Sequence, residues 1–375
     1  MMVAVTDPTP GGVRCIIMRG GTSKGAYFLA GDLPDHEAER DELLLRIMGT
    51  PDPRQIDGIG GANPLTSKVA VVSATDGESA VEADVDYLFL QLGVDEPMVT
   101  DRQNCGNLLA GVGPFAVERG LFAVDPNATD AMIRIRMINT DSIATASFPV
   151  AGGQPVYAGD TAISGVPGTA AAIRLDFEDI AGGSCGALLP TGNYVDEIDG
   201  VECTLVDNGM PVVVMAASAL GIDGHENCAD LEANENLRHR LESIRLKAGP
   251  LMNLGDVSDT SVPKLTMVSE PRTGGHLNTR TFIPHRCHEA IGVLGAVSVA
   301  TAAMLPGSPA AGLLTGKATG PPTGGVVTLE HPTGVFDAAI EVVIGDDGHP
   351  EVRRAGIIRT ARKLMDGVVF PREYS

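Results

Sequence analysis

The chain has 375 residues, 48 Asp and Glu against 27 Lys and Arg, and a formal net charge of −21. That charge excludes broad attraction to nucleic acid or an anionic membrane, yet leaves room for a small anionic ligand held by a local cluster of cations. With 43% hydrophobic residues, 46 Gly, 25 Pro and no Trp, the composition points to a large core made of short elements joined by tight turns.

In chain order, β-branched runs predict strands over 14–18, 68–73, 86–92, 133–138, 173–177, 212–216, 264–269, 326–329 and 338–344. Apolar periodicity predicts amphipathic helices over 37–48 and 231–247, and two helices apolar on nearly every face over 107–119 and 289–305. The expected class is α+β, with sheet wrapped around one apolar helix in each half. The longest nearly apolar run, 292–305, is too short for a membrane span. The first fifteen residues lack a charged and then apolar leader, so a cytoplasmic location is expected. Cys15, Cys105, Cys185, Cys203, Cys228 and Cys287 form no CxxC pair and match no zinc or iron–sulfur spacing. Free thiols and no metal are the expectation.

The halves repeat one another weakly. SKVAVVS at 67–73 has a counterpart in PKLTMVS at 263–269, which pairs Lys68 with Lys264. NCGNLLAGVG at 104–113 is matched to RCHEAIGVLG at 286–295, which pairs Cys105 with Cys287. The expected boundary is the turn at Gly186, giving lobes 1–186 and 187–375, with the last twenty or so residues packing on either one. Such a duplicated protein is expected to hold its ligand in the cleft between lobes.

Cys105 stands where a polar turn gives way to an apolar helix. Unpaired N–H groups at a helix start favour an anion, either a thiolate able to move a proton or a bound carboxylate. A small thiol that simply packs well is the competing reading. Asn104, Gly106 and Asn107 around it suit a cap with close backbone approach. Lys68 opens an apolar strand after the loop that holds Asn63 and Ser67; loss of solvation there favours the neutral amine and hence a base. A strand-end lysine reaching into water is the alternative. In MRGGTSKG, Gly20 and Gly21 free the backbone, Thr22 and Ser23 offer donors, and Arg19 and Lys24 add charge. The spacing is not that of a phosphate loop, and a tight hairpin explains it equally well. The second half offers Asn208 and Met210 in DNGMP, and Arg280, His285, Cys287 and His288 in RTFIPHRCH. The latter is either a carboxylate-recognition cluster or a solvated loop.

Taken together, MRGGTSKG, DGIGGANPLTSKVAVV, RQNCGNLLAGVGPFA and DNGMPVVVM resemble the 2-methylaconitate cis-trans isomerase family. Within it they look most like the branch of 4-oxalomesaconate tautomerases and isomerases of bacterial aromatic and lignin catabolism. The resemblance spans residues 14 to 370. It implies a diaminopimelate-epimerase-like fold of two pseudo-symmetric lobes, each a sheet rolled around a central helix. It implies a small anionic tricarboxylate as substrate, no cofactor, and a homodimer or homotetramer. The family's lysine and cysteine map onto Lys68 and Cys105, and its substrate loop onto Gly20 to Ser23. Lys68 is then the principal base and Cys105 the acid or carboxylate anchor, with the reverse assignment open. Cys287 is the candidate second thiol, although its neighbours differ from those of Cys105. The rival expectations are 2-methylaconitate isomerisation and a non-catalytic partner of an iron–sulfur dehydratase.

Overall fold

The computed structural model describes residues 11–75, 82–102, 104–314 and 325–373. The chain divides into two compact units, one of residues 1–175 with 359–375 and the other of 176–358. The first crossing thus falls ahead of the expected Gly186 turn, and the C-terminal segment belongs to the first unit.

Unit 1 runs β1 (Val13–Gly20), β2 (Ser23–Leu29), α1 (Glu37–Met48), β3 (Lys68–Ala74), β4 (Val85–Leu92) and β5 (Val99–Thr100). It continues with α2 (Gly106–Glu118), β6 (Asp130–Met137), β7 (Ser142–Ala151), β8 (Gln154–Pro155) and β9 (Ala172–Phe177), in which the chain leaves for unit 2. Unit 2 runs β10 (Asp196–Ile198), β11 (Val201–Asp207), β12 (Pro211–Ala216), α3 (Cys228–Ala233), α4 (Glu235–Leu251) and β13 (Lys264–Ser269). It continues with β14 (Leu277–Ile283), β15 (Arg286–Cys287), α5 (Val293–Met304), β16 (Gly325–His331) and β17 (Gly334–Ile344). The chain returns to unit 1 within β18 (Pro350–Val369).

The two units share one internal topology. In unit 1, β1–β2 is antiparallel, β2–β3 parallel, β3–β4 and β4–β5 antiparallel, β4–β6 parallel and β6–β7 antiparallel. Unit 2 repeats that series step for step from β11–β12 to β16–β17. In each unit an apolar helix, α2 or α5, lies on one sheet face, as the diaminopimelate-epimerase-like α+β expectation requires. Ten consecutive residues of α2, Leu108 to Val117, are buried, so its apolar surface has no solvated side.

The opposite face of each sheet carries an amphipathic helix. In unit 1, Leu44, Ile47 and Met48 of α1 pack with Ala26, Phe28, Val69 and Leu90. In unit 2, Leu237, Leu241, Ile244 and Ala248 of α4 pack with Leu205, Met215, Leu265 and Phe282. The single helix expected over 231–247 is divided at Asn234, whose side chain accepts from Leu237 N at 3.0 Å and caps α4. Among the described residues no helix is long and apolar enough to cross a membrane.

Candidate active site

Unit 1 gathers reactive groups on the α2 face of its sheet. Lys68, the first residue of β3, is only 7% exposed. Its Nζ donates to Gln91 Oε1 at 2.5 Å and stands 5.0 Å from the Phe89 ring centroid. Gln91 donates through Nε2 to the carbonyls of Pro64, Ser67 and Leu92 at 3.2, 3.0 and 3.1 Å, which turns its oxygen toward the amine. The strand-end lysine is therefore held inside the protein, and the residue opposite it in the β3–β4 register holds it.

Cys105 directly precedes α2 with extended backbone (φ −126°, ψ 96°), and its side chain makes no capping bond. The residue thus stands directly ahead of the first-turn N–H groups, which favour an anion. Tyr87 donates to the Cys105 carbonyl at 3.4 Å and Tyr27 to the Leu108 carbonyl at 2.6 Å. Burial first, and then the adjacent Cys105, pushes both phenols well above the usual tyrosine range, so both stay protonated donors. Tyr87, Phe89 and Gln91 alternate along β4 and so share a face. Tyr87 meets Cys105 at one end of that face, and Gln91 grips Lys68 about 13 Å of strand away, with the lysine leaning back over Phe89.

The glycine turn between β1 and β2 closes the site. A Cβ on Gly20 would strike the Asn107 carbonyl, and one on Gly21, at φ +51°, would strike the Asn107 side chain. The turn can therefore lie directly on the first turn of α2, behind Gly106. Asn107 Nδ2 donates to Thr22 Oγ1 at 3.0 Å and ties the two together. Ser23, 2% exposed, has an Oγ with no partner among the described residues. Ser23 shares its face with Gly25, the register partner of Lys68. Asn104 donates to Thr140 Oγ1 at 2.5 Å and leaves its own oxygen without a partner among the described residues. These two oxygens are free to meet a ligand.

Other candidates in unit 1 have internal work. Ser67 Oγ donates to Gln55 Oε1 at 2.8 Å and to the Asn63 carbonyl at 3.0 Å. Asn63 Oδ1 accepts from Leu65 N at 2.8 Å, so both residues shape the loop ahead of Lys68. Arg19 alternates with Gly20 and so points to the sheet face away from α2; its Nη1 donates to the carbonyls of Gly21 and Thr360 at 2.9 and 2.8 Å.

In unit 2 the turn of Asn208 to Met210 takes the place of the Gly20–Ser23 turn, between β11 and β12. Asn208 N donates to Ser298 Oγ at 3.1 Å, and Nδ2 donates to Thr301 Oγ1 at 2.8 Å. Ser298 donates to the Met210 carbonyl at 2.7 Å, so the turn is anchored on α5. The Asn208 Oδ1 is buried with no partner among the described residues. His288 N donates to the Thr281 carbonyl at 2.8 Å. Burial, reinforced by nearby Lys264, holds the His288 imidazolium below its usual range and favours the neutral ring. Burial likewise lowers Lys264.

Three residues of the cationic cluster lie elsewhere. Cys287 belongs to β15 and packs in the α4-side core; burial, followed by the neighbouring Cys228, drives its thiol far up, and its N–H donates to Glu232 Oε1 at 2.9 Å. Arg280 is on the same side and donates to the Glu226 carbonyl at 2.8 Å, Asn278 Oδ1 at 3.1 Å and the Thr279 carbonyl at 2.9 Å. His285 is exposed, with Nδ1 3.8 Å from Glu242 Oε2. By topology the residue preceding α5 is Gly292, so the counterpart of Cys105 is a glycine, and the two-residue strand containing Cys287 corresponds to Val99–Thr100. Pairing Cys105 with Cys287 by residue type is thereby corrected: identical letters matched across unequal positions.

Sequence reasoning passed over Tyr27, Tyr87 and Gln91, whose roles come from strand register, and used Lys264 only as a repeat mate. Among the described residues no three His, Cys, Asp or Glu side chains cluster to hold a metal ion.

The chain is 57% identical over 358 residues to a (4E)-oxalomesaconate Delta-isomerase of Novosphingobium sp. (strain KA1), covering 95% of this chain and 96% of that one. It is 56% identical over 360 residues to a 4-oxalomesaconate tautomerase of Pseudomonas putida (strain KT2440), covering 95% of each. Among solved structures, a methylitaconate-delta-isomerase matches with a TM-score of 0.83 and 32% identity, over 96% of this chain and 95% of that one. The family model described as PrpF protein matches residues 12–372, from the first strand through the last, and the chain belongs to that family.

Proposed function

We propose that this protein is an isomerase that moves a proton, and with it a double bond, within 4-oxalomesaconate or a closely related unsaturated tricarboxylate. The observation that carries the reading is the arrangement on the α2 face: a buried amine oriented by Gln91, and a thiol at the helix start, both reached from alternate residues of β4. The substrate class follows from the names of the relatives that are more than half identical.

In such a substrate the allylic CH₂ is acidified by conjugation with a carbonyl. Lys68, as the neutral amine, takes that proton; the C–H bond breaks and its electrons delocalise into a dienolate. The first-turn N–H groups of α2 face the developing negative charge. A proton then returns to the far carbon of the allylic system, from the Cys105 thiol or from the Lys68 ammonium. When Cys105 donates, the ammonium proton restores its thiol, and no electrons leave the system. Proton transfer of this kind asks nothing of a metal, flavin or pyridoxal group. Each transferring residue is worth about 10²–10⁴-fold in rate. A cytoplasmic enzyme of aromatic-compound breakdown is the setting that suits this chemistry.

Proton NMR of 4-oxalomesaconate with the enzyme in D₂O tests the proposal. The expected result is double-bond migration with deuterium entering carbon, abolished in Lys68→Ala. Conversion of 2-methylaconitate alone would transfer the reading to that substrate. Silence with both would overturn it.

A further inference from the structure

On the face of the unit 1 sheet away from α2, three cations stand abreast on neighbouring strands. Arg19 of β1 is the register partner of Arg362 on β18 and of Lys24 on β2. Directly opposed residues share a face, with Cβ atoms about 4.5–5.5 Å apart, and like charges placed so repel. Ion pairs near this row are Lys363 with Glu118 and Arg119 with Asp366; among the described residues none includes Arg19, Lys24 or Arg362. A chain with 48 acidic residues has therefore kept its carboxylates out of this row.

The row opens on a cavity of about 320 Å³, within the size range of small-molecule sites. Thr161 and Thr360 give it hydroxyls, while Ile163, Val166 and Leu364 give it an apolar wall. Arg19 is fixed in place by its bonds to the Gly21 and Thr360 carbonyls. Burial, and then Arg362, lowers its guanidinium from the ordinary arginine range.

We propose that Arg19, Lys24 and Arg362 form a second anion site, separate from the Lys68 face, which takes a small organic di- or tricarboxylate. The apolar wall selects the class: a carbon skeleton covers it, whereas inorganic phosphate would engage the cations alone.

The test uses the full chain and tricarballylate, a saturated tricarboxylate, with inorganic phosphate as the second probe. Melting temperature and calorimetric titration are recorded at physiological salt for the native protein, Lys68→Ala and the double variant Lys24→Ala/Arg362→Ala. Tricarballylate should raise the melting temperature of the native protein and of Lys68→Ala, because a ligand bound only to the folded state stabilises it. In the double variant the binding constant should fall about tenfold or more per cation removed. Without ligand that variant should melt no lower than the native protein, since repulsion is relieved, and its turnover should stay within about twofold. A shift lost in Lys68→Ala and kept in the double variant would place all anion binding at the catalytic face and overturn the proposal. So would the absence of any shift at physiological salt. Equal binding of phosphate would overturn the organic ligand class.

Discussion

The two units share a strand order but carry different chemistry at the same topological points. Lys68 and Lys264 both open the strand that pairs in parallel with its predecessor. Beyond that the units part: Lys68 faces Gln91, whereas the β13–β14 register begins one residue after Lys264, with Leu265 opposite Phe282. Cys105 precedes α2, whereas Gly292 precedes α5. Duplication thus supplied two central-helix starts and two strand-opening lysines, and among the described residues only unit 1 has a cysteine ahead of that helix and a carboxamide on its lysine. A symmetric exchange between two thiols would need a cysteine ahead of α5, where Gly292 stands. On the proposed mechanism unit 1 is the proton-transfer half, while unit 2 holds a His288 ring that burial keeps neutral, Asn208 and Lys264.

The largest expected effect is at Lys68. Lys68→Ala should lower turnover about 10²–10⁴-fold, with melting temperature near that of the native protein. A variant that kept its activity would move the base away from unit 1 and break the comparison. Gln91→Ala should lower kcat about 10–100-fold with a smaller change in KM, as expected when an amine is misplaced rather than removed. Gln91→Glu, which restores an acceptor, should recover part of the rate. Loss of stability with no rescue of kcat by Gln91→Glu would make Gln91 structural.

Gly20→Ala tests the turn that packs on α2. The new methyl meets the Asn107 carbonyl, so backbone must shift, at a cost of about 1–3 kcal/mol read from denaturant unfolding. The corresponding unit 2 turn already carries Asn208, which binds α5 through side-chain hydrogen bonds, and Asn208→Ala should instead weaken that anchor by about 1 kcal/mol.

A further contrast predicts a pH effect. In the β4–β6 pair Asp86 faces Arg136, while in the matching β14–β16 pair Asn278 faces Glu330. The Glu330 carboxylate accepts from Arg272 N at 2.8 Å, Thr273 N at 2.6 Å and Gly275 N at 2.9 Å. Burial raises its pKa, but these bonds outweigh burial and hold it below the usual glutamate range. A depressed carboxylate contributes stability that is present above the unfolded value and lost as pH falls through the folded one. Glu330→Gln should therefore be destabilising at pH 7, and its deficit should shrink on acidification below about pH 4. A deficit independent of pH would assign it to packing.

Local patterns were legible where one element decides them. The apolar run after Cys105 gave away α2, and the polar turn before it located the thiol at the helix start. Strand β18 was not legible, because Arg353, Arg354, Arg362 and Lys363 interrupt any apolar alternation along its twenty residues. Its pairing comes from β1 and β17, which lie far away in sequence. Register was equally hidden: nothing in the letters 86–92 shows that Gln91 meets Lys68. Lys68 could be singled out from its apolar strand, but its burial depends on Gln91 and Phe89. The same limit misplaced Cys287, since matching residue types across a decayed repeat follows letters while topology follows hydrogen bonds.

The smallest effect is expected at Cys287, and it bears most directly on the asymmetry. Cys287 is buried in the core beside α4, on the face away from α5, and its thiol is driven up by burial and by Cys228. A thiol so placed is a small apolar group, and its N–H bond to Glu232 does not depend on the side chain. Cys287→Ala should cost about 1 kcal/mol of stability and change turnover less than about threefold. Cys105→Ala, at the start of α2, should lose turnover about 10²-fold or more. Comparable losses in the two variants would restore a two-thiol exchange and force a different account of how β15 is used. Unequal losses would confine proton transfer to unit 1, where a cysteine directly precedes the central apolar helix.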